Sequence, residues 1–514
     1  MGKKEPSGRL QGGRVKMAGE MTPTIQNFIG GTWVPAKSGK TFDSRNPATG
    51  EVVGRCADSG QEEVNAAVQA ATVAFESWRK TPAPRRGEIL FRAAERLAKE
   101  KDDLARTVTQ EMGKVLTEGK GDVQEVIDMA YYMAAEGRRQ FGLVVPSELP
   151  DKAAQCVREP MGVAALITPW NFPMAIPAWK SFPALILGNT VVLKPSPETP
   201  VTAARLVKVL EECGMPPGVV NLVMGKNPTL GEWLVTHPDV AVISFTGSTQ
   251  TGGKVAEAAA RLYKRVALEM GGKNAILVMD DADLDLAVDG ILWSAYGTTG
   301  QRCTACSRLI VQESVKDKLT QKLLTRIEKL CVGNGLEPGI DMGPLVNQPA
   351  LEKVQERVRQ GQEEGARLLT GGKVLKDGDY AKGHFYAPTL FDQVKPAMQL
   401  AQEEIFGPVL SVIQVKDLGE AIQINNQVKY GLSTSIYTRD INQAYRAMRD
   451  IRTAIVYVNA GTIGSEVHLP FGGMRQTGNG HREAGQAALD TFSEWKTIYV
   501  DYSGRLQRAQ IDTQ

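Results

Sequence analysis

Four short runs of β-branched and apolar residues, each ending in turn residues, dictate the fold class of this chain. They are GVAALITPWN (162–171), NTVVLKPSPETP (189–200), GVVNLVMG (218–225) and VAVISFTGST (240–249). Helical stretches such as VTAARLVKVLEECG (201–214) and NPTLGEWLVTH (227–237) lie between them. Strand, loop and helix in alternation make a parallel α/β sheet, because a crossover must carry the chain back before the next strand can run parallel. Functional loops then gather at the carboxyl ends of the strands.

A second α/β region follows. Helices are expected at 282–299, 313–331 and 347–366, and strands at RLIVQ (308–312), VLSVIQV (409–415), LSTSIYT (432–438) and AIVYVNA (454–460). Upstream, from about Glu62 to Arg139, apolar residues recur at three- and four-residue intervals, the period of an amphipathic helix. Pro82 and Pro84 divide this stretch into two helices. Two extended segments have no sheet of their own: FGLVVPSELPDKAAQCVREP (141–160), with two strands around Pro146 to Pro150, and TFSEWKTIYVDYS (491–503). They are expected to pair with each other or with another subunit.

Composition removes several function classes. Lys and Arg number 60 against 58 Asp and Glu, a formal charge of +2, so no field is set up for nucleic acid. No apolar run reaches the roughly 18 residues of a membrane span. Residues 1–20 are basic without an apolar core, unlike a secretory signal, and read as a flexible tail. The six cysteines are scattered and suggest no disulfide framework, which points to a reducing, cytoplasmic setting. The four histidines are too few for a histidine-rich metal site, and no metal is expected.

The candidate chemistry lies at strand ends. In TTGQRCTACSR (298–308), Cys303 follows Gly300-Gln301-Arg302. Beside Arg302 in a backbone-rich turn its pKa is expected to be lowered, as a nucleophile needs; the alternative is a buried, inert thiol. Cys303 and Cys306 also form a CxxC, but no second ligand pair stands at zinc spacing. Glu269 ends the apolar stretch VALEMGGKN (266–274), where burial would raise its pKa toward that of a general base. A carboxylate satisfied by backbone N–H groups is the other reading. SFTGSTQTGG (244–253) is a strand, a glycine turn and a helix start, able to bind phosphate but unlike GxGxxG. Lys194 at a strand end can reach a ribose hydroxyl or a phosphate, and Asn171 can donate to an oxyanion or close an Asx-turn.

Taken together, TPWNFP (168–173), VVLKPS (191–196), SFTGS (244–248), LEMGGKN (268–274), GQRC (300–303), EEIFGPV (403–409) and PFGG (470–473) resemble the NAD(P)-dependent aldehyde dehydrogenase superfamily, from about Asn27 to Ser503. The resemblance implies two parallel-sheet α/β domains, one a Rossmann-like cofactor domain and one catalytic, plus a β-arm for oligomerisation. It places the cofactor-binding domain at 21–141 and 160–270, the catalytic domain at 271–473 and the arm at 142–159 and 486–507. It implies a homodimer or homotetramer, a small aldehyde as substrate and NAD or NADP as cofactor.

The resemblance also implies roles. Cys303 would attack the aldehyde to form a thiohemiacetal and, after hydride loss, a thioester. Glu269 would activate the hydrolytic water, with Asn171 and the Cys303 N–H as oxyanion hole. Lys194 counts among the catalytic residues and, with Glu404, would hold ribose hydroxyls. Phe406 would lie beside the nicotinamide, and Gly247 and Ser248 would receive the pyrophosphate. Ile167, Thr168, Pro169, Trp170, Ser196, Pro197, Glu198, Gly225, Phe245, Met270 and Gly271 complete the cofactor set. Pro197 stands where strict NAD users of the family carry a glutamate, so NADP is expected to be accepted. For the substrate, Arg302 preceding the nucleophile resembles relatives that oxidise carboxylate-bearing semialdehydes. Thr462, Gly464 and Ser465 would complete an anion pocket, and Phe471 would line the tunnel. The alternatives are a coenzyme-A-acylating relative, against which Glu269 argues, and an aldehyde dehydrogenase without preference for acidic substrates.

Overall fold

The computed structural model describes residues 22–512; the tail expected at 1–20 lies outside them. The four β-branched runs are strands Val163–Ile167, Thr190–Lys194, Val220–Leu222 and Val240–Thr246, joined by Arg265–Glu269. These five pair in parallel, in the order Arg265–Glu269, Val240–Thr246, Val163–Ile167, Thr190–Lys194, Val220–Leu222. Val191 and Leu193 pack into one apolar cluster and Val192 into another, so the sheet is covered on both faces. Double burial is why the strands read as continuous apolar runs rather than as alternation. Each such side chain contributes roughly 1.5–3 kcal/mol on leaving water.

The antiparallel strands Asn27–Ile29 and Thr32–Val34 extend this sheet, and Thr24–Ile25, Thr41–Arg45 and Val52–Ala57 make a small separate one. None of the five was expected, since two to six residues give too short a window for periodicity. The helical stretch holds three helices rather than two: Gln61–Trp78, Ala83–Met112 and Leu116–Glu136. Pro82 caps the second helix and Pro84 sits in its first turn, where a missing N–H costs nothing. The extra break comes at Gly113, which has φ 91° and is wedged so that a Cβ would lie 2.8 Å from both Pro47 and Pro344.

The second region forms a sheet in the order Arg367–Thr370, Thr389–Asp392, Val409–Val415, Cys306–Gln312, Asn274–Val278, Ser433–Tyr437, Ile455–Val458, parallel except for its first strand. Its helices run over Leu284–Tyr296, Glu313–Ile327 and Gln348–Glu363, slightly shorter than expected. The two orphan segments pair with each other: Leu143–Pro146, Lys152–Pro160 and Ser493–Asp501 form one three-stranded sheet. Among the described residues no helix is long and apolar enough to cross a membrane.

Candidate active site

The chain passes from the first sheet to the second within Met270–Lys273, so Glu269 ends a strand of one and Asn274 begins a strand of the other. The carboxyl ends of the first sheet thereby face the amino ends of the second. Cys303 sits in that gap, three residues before the strand Cys306–Gln312.

The turn before Cys303 is strained. Thr298 (φ 51°, ψ 28°), Thr299 (φ 60°, ψ 31°) and Gly300 (φ 68°) are all left-handed. β-Branched residues rarely adopt this region, at a cost of about 1–3 kcal/mol each. Side chains hold the turn: Thr299 Oγ1 donates to Gly343 O at 2.9 Å, and Gln301 donates to Pro344 O at 3.2 Å while accepting from Val346 N–H at 3.0 Å. Asn274 Nδ2 donates to Cys303 O at 2.7 Å and to Ala305 O at 3.0 Å. At Gly300 a Cβ would stand 2.2 Å from Gly407 O, so GQRC requires its glycine.

A cavity of about 220 Å³ opens above the thiol. It gathers Pro169, Trp170, Asn171, Gly247, Ser248, Met270, Gly271, Cys303, Glu404 and Phe406 from the expected set, together with Ile176, Thr246, Ala350, Lys353 and Ile405. Asn171 is buried and donates Nδ2 to Gln301 O at 3.1 Å, which aims its amide at the nucleophile turn. Trp170 and Phe406 meet edge to face, centroids 5.5 Å apart. Glu404 accepts from Gly272 N–H at 3.0 Å, and a Cβ on Gly271 would come 2.1 Å from its carboxylate. Ser248 caps the helix Thr249–Ala260, accepting from Thr251 N–H, beside the glycine turn at Gly247.

The other expected cofactor residues do not line the cavity. Ile167 and Phe245 are buried in the core, and Thr168 N–H donates to Lys194 O at 3.2 Å. Lys194 ends its strand, and burial lowers its pKa to about 8. Glu198 N–H donates to Ser196 Oγ, with Pro197 between them, and a Cβ on Gly225 would meet Leu230 at 2.9 Å.

Electrostatics correct one expectation outright. The Cys303 thiol is pushed up to about 12 rather than down, first by burial and then by Glu404 and Glu269. Arg302 gives it no help, because its guanidinium turns to Glu118, Nη2 to Oε1 at 2.9 Å. Cys306 is buried and also raised to about 12. Glu269 is held well above the usual carboxylate range by burial and by Glu483, opposed by Lys180 and Arg482. Neither of its carboxylate oxygens makes a close hydrogen bond, and the Gly473 N–H, the one backbone group that acts on it, does not offset its burial. Gly472 makes room for it, since a Cβ there would lie 2.4 Å from Glu269 Oε1.

Two substrate expectations also change. Arg302 is ion-paired, with 10% of its side chain exposed, and is not a free anion anchor. Thr462 is buried and already spent: its N–H donates to Ser294 Oγ at 3.0 Å and its hydroxyl to Thr304 O at 2.7 Å. It cannot serve an anion pocket. Gly464 is exposed, Ser465 Oγ lies 3.3 Å from Tyr457 OH, and Phe471 packs edge-on to Trp179 at 5.3 Å. Sequence reasoning missed Lys353, Lys180 and Glu483. Lys180 donates to Ser244 Oγ at 2.9 Å and pairs with Glu483; a lysine inside the apolar helix AIPAWKSFPALIL was the available signal.

A parallel sheet with a glycine turn and helix start at its carboxyl ends thus faces a second parallel sheet across a cleft lined by the half-buried Cys303 thiol. Residues 33–498 match the model of the aldehyde dehydrogenase family, and the chain belongs to that family. It is 42% identical over 478 residues to an alpha-ketoglutaric semialdehyde dehydrogenase of Bacillus subtilis, covering 93% of this chain and 98% of that one. It is 43% identical over 484 residues to an alpha-ketoglutarate semialdehyde dehydrogenase of Haloferax volcanii, covering 94% and 100%. The crystal structure of betaine aldehyde dehydrogenase from Staphylococcus aureus in complex with NAD+ superposes with a TM-score of 0.92 at 35% identity, covering 94% of this chain and 96% of that one. The protein is therefore an oxidoreductase that acts on aldehydes with NAD or NADP.

Proposed function

We propose that this enzyme oxidises a carboxylate-bearing semialdehyde to the diacid, with Cys303 as nucleophile and Glu269 as base. The observation that carries the mechanism is the pairing of a cavity-lining thiol with a buried carboxylate close enough to raise the thiol's pKa. Similarity to two semialdehyde dehydrogenases over almost the whole chain supports the substrate class.

The cofactor site fits NAD(P). The turn at Gly247, whose N–H donates to Glu269 O, leads into the helix Thr249–Ala260, and a helix start is where anions bind. Gly271 lets the Glu404 carboxylate lie against the backbone, where a side chain would displace it from the cavity. Glu404, with Lys194 and Ser196, is suited to ribose hydroxyls, and Phe406 to the nicotinamide side.

In the first step the Cys303 thiol gives up its proton to solvent, which leaves the Glu269 carboxylate free to act as base later. The thiolate adds to the aldehyde carbon, and the oxyanion is met by Asn171 Nδ2 and the Cys303 N–H. Bound NAD(P), held by Glu404 and the glycine turn with its nicotinamide beside Phe406, would supply the acceptor for the hydride of that carbon. Glu269 then removes a proton from water as it adds to the Cys303 thioester and returns it to the departing thiolate, so the acid leaves with the thiol restored.

The segments 21–141 and 160–270 are assigned to cofactor binding, 271–473 to catalysis, and 142–159 with 486–507 to the arm. We assign the enzyme as a homodimer or homotetramer: the arm exposes Val144, Trp495, Tyr499 and Val500, and Ile455–Val458 leaves a sheet edge open. We place it in the cytoplasm, in keeping with six cysteines that are all free thiols. Following NAD(P)H absorbance over a panel of alkyl aldehydes and ω-semialdehydes tests the substrate class; a preference for alkyl aldehydes would refute it.

A further inference from the structure

The three residues ahead of Gln301-Arg302-Cys303 are all left-handed, and two are threonines. Such a turn persists only where its surroundings over-determine it. On one side Thr299 and Gln301 tie it to residues 343–346. On the other side stands the Glu118 carboxylate. Glu118, in the first turn of the helix Leu116–Glu136, accepts at Oε1 from both Thr298 N–H (2.8 Å) and Arg302 Nη2 (2.9 Å). Arg302 closes the ring by donating Nε to Thr298 Oγ1 at 2.8 Å.

This ring is shielded from water, with 3% of the Glu118 side chain exposed, and charge-assisted bonds are strongest in such places. Phe172 and Trp293 flank the guanidinium, their centroids 5.5 and 4.9 Å from it. One helical turn further on, Asp122 accepts from Ala175 N–H at 2.8 Å and from Lys114 Nζ at 3.0 Å. The same helix face thus holds both the Cys303 turn and the segment that follows Asn171.

We propose that Glu118 is a positioning residue for the reaction, fixing the Thr298–Gly300 turn and, through Arg302, the backbone that presents the Cys303 thiol and N–H. This rests on the reading of Cys303 as nucleophile. Glu118 does not line the cofactor cavity, so its loss acts on chemistry and not on cofactor binding.

The test is single-turnover NADH formation with enzyme in excess at saturating NAD, using propanal and glutarate semialdehyde. Glu118→Ala is expected to slow NADH formation about 30-fold on both aldehydes, as small misplacements of reacting groups do, with the NAD Kd unchanged within about twofold. Glu118→Gln, which keeps an oxygen for Thr298 N–H and Arg302, should retain about a third or more of the wild-type rate. If Glu118→Ala does not fold, Glu118→Asp replaces it under the same expectations, its carboxylate being one methylene short. A wild-type rate in the Ala variant, a loss confined to the semialdehyde, a loss that follows NAD affinity, or a Gln variant as slow as Ala would each overturn the proposal. Cys303→Ala runs in parallel and should form no NADH; if it did, the nucleophile reading would fall and the positioning role with it.

Discussion

Glu198, in the loop after the strand Thr190–Lys194, accepts a 3.0 Å hydrogen bond from Asn347 Nδ2, the residue that caps the helix Gln348–Glu363. In the proposed cofactor site Glu198, the carboxylate expected nearest a 2′-phosphate, is thus held by the opposite domain, with Pro197 where the resemblance would put a repelling glutamate. NADP should therefore be used, with kcat/KM within about a thousandfold of that for NAD, a gap of roughly 4 kcal/mol. Freeing Glu198 by Asn347→Ala should lower NADP efficiency by about tenfold and leave NAD within about threefold. Steady-state kinetics with both cofactors checks the pair of values.

Only one of two neighbouring cysteines lines the cavity. Cys303→Ala should abolish turnover, while Cys306→Ala, which loses a thiol packed against Tyr296, Leu309 and their neighbours, should keep most activity at a cost in stability of about 1–2 kcal/mol. Steady-state rates and denaturant midpoints separate the two effects.

The raised pKa of Glu269 gives a signed pH dependence. Its carboxyl holds a proton in the folded protein at pH values where the unfolded chain has released it. Raising pH above the ordinary carboxylate range therefore draws the equilibrium toward unfolding at this site. Glu269→Gln removes that penalty, so its Tm should exceed the wild-type value by more at pH 8.5 than at pH 5. Thermal melts at the two pH values check this; an advantage that shrinks with pH would contradict it.

Arg302 is bonded to Glu118, Thr298 and two aromatic faces within the protein, so Arg302→Leu should damage plain alkyl aldehydes and acidic semialdehydes alike. A rise of one to two orders of magnitude in KM confined to acidic substrates would instead give it a direct substrate contact. The comparison needs kcat and KM for one aldehyde of each kind.

Four of the five parallel strands at the core of the first sheet were legible because strands covered on both faces write themselves as unbroken apolar runs, whereas Arg265–Glu269 begins half-buried and was not read as a member of the sheet. Cys303, Asn171, Gly271 and Glu404 were legible because each stands in a motif at a strand end or turn. The helix break at Gly113 was hidden, since the apolar period continues through it and only two distant prolines force the turn. Charge compensation was hidden for a similar reason. Glu118 lies 184 residues from Arg302, and nothing local to either residue reveals the partner. The direction of the Cys303 pKa followed the same rule: the cation beside it in sequence faces away, while two carboxylates from distant segments approach it.

In the proposed reaction the substrate becomes a thioester on Cys303, and Glu269 activates the water that hydrolyses it. Glu269→Gln should slow hydrolysis by about 10²–10⁴-fold, more than it slows acylation, so the covalent species should accumulate. Mixing this variant with glutarate semialdehyde and NAD, quenching in acid and sequencing the peptides by mass spectrometry reads it directly. The prediction is an acyl adduct on Cys303, formed together with a burst of NADH and absent from Cys306. A uniform loss of activity with no burst and an unmodified Cys303 would contradict it.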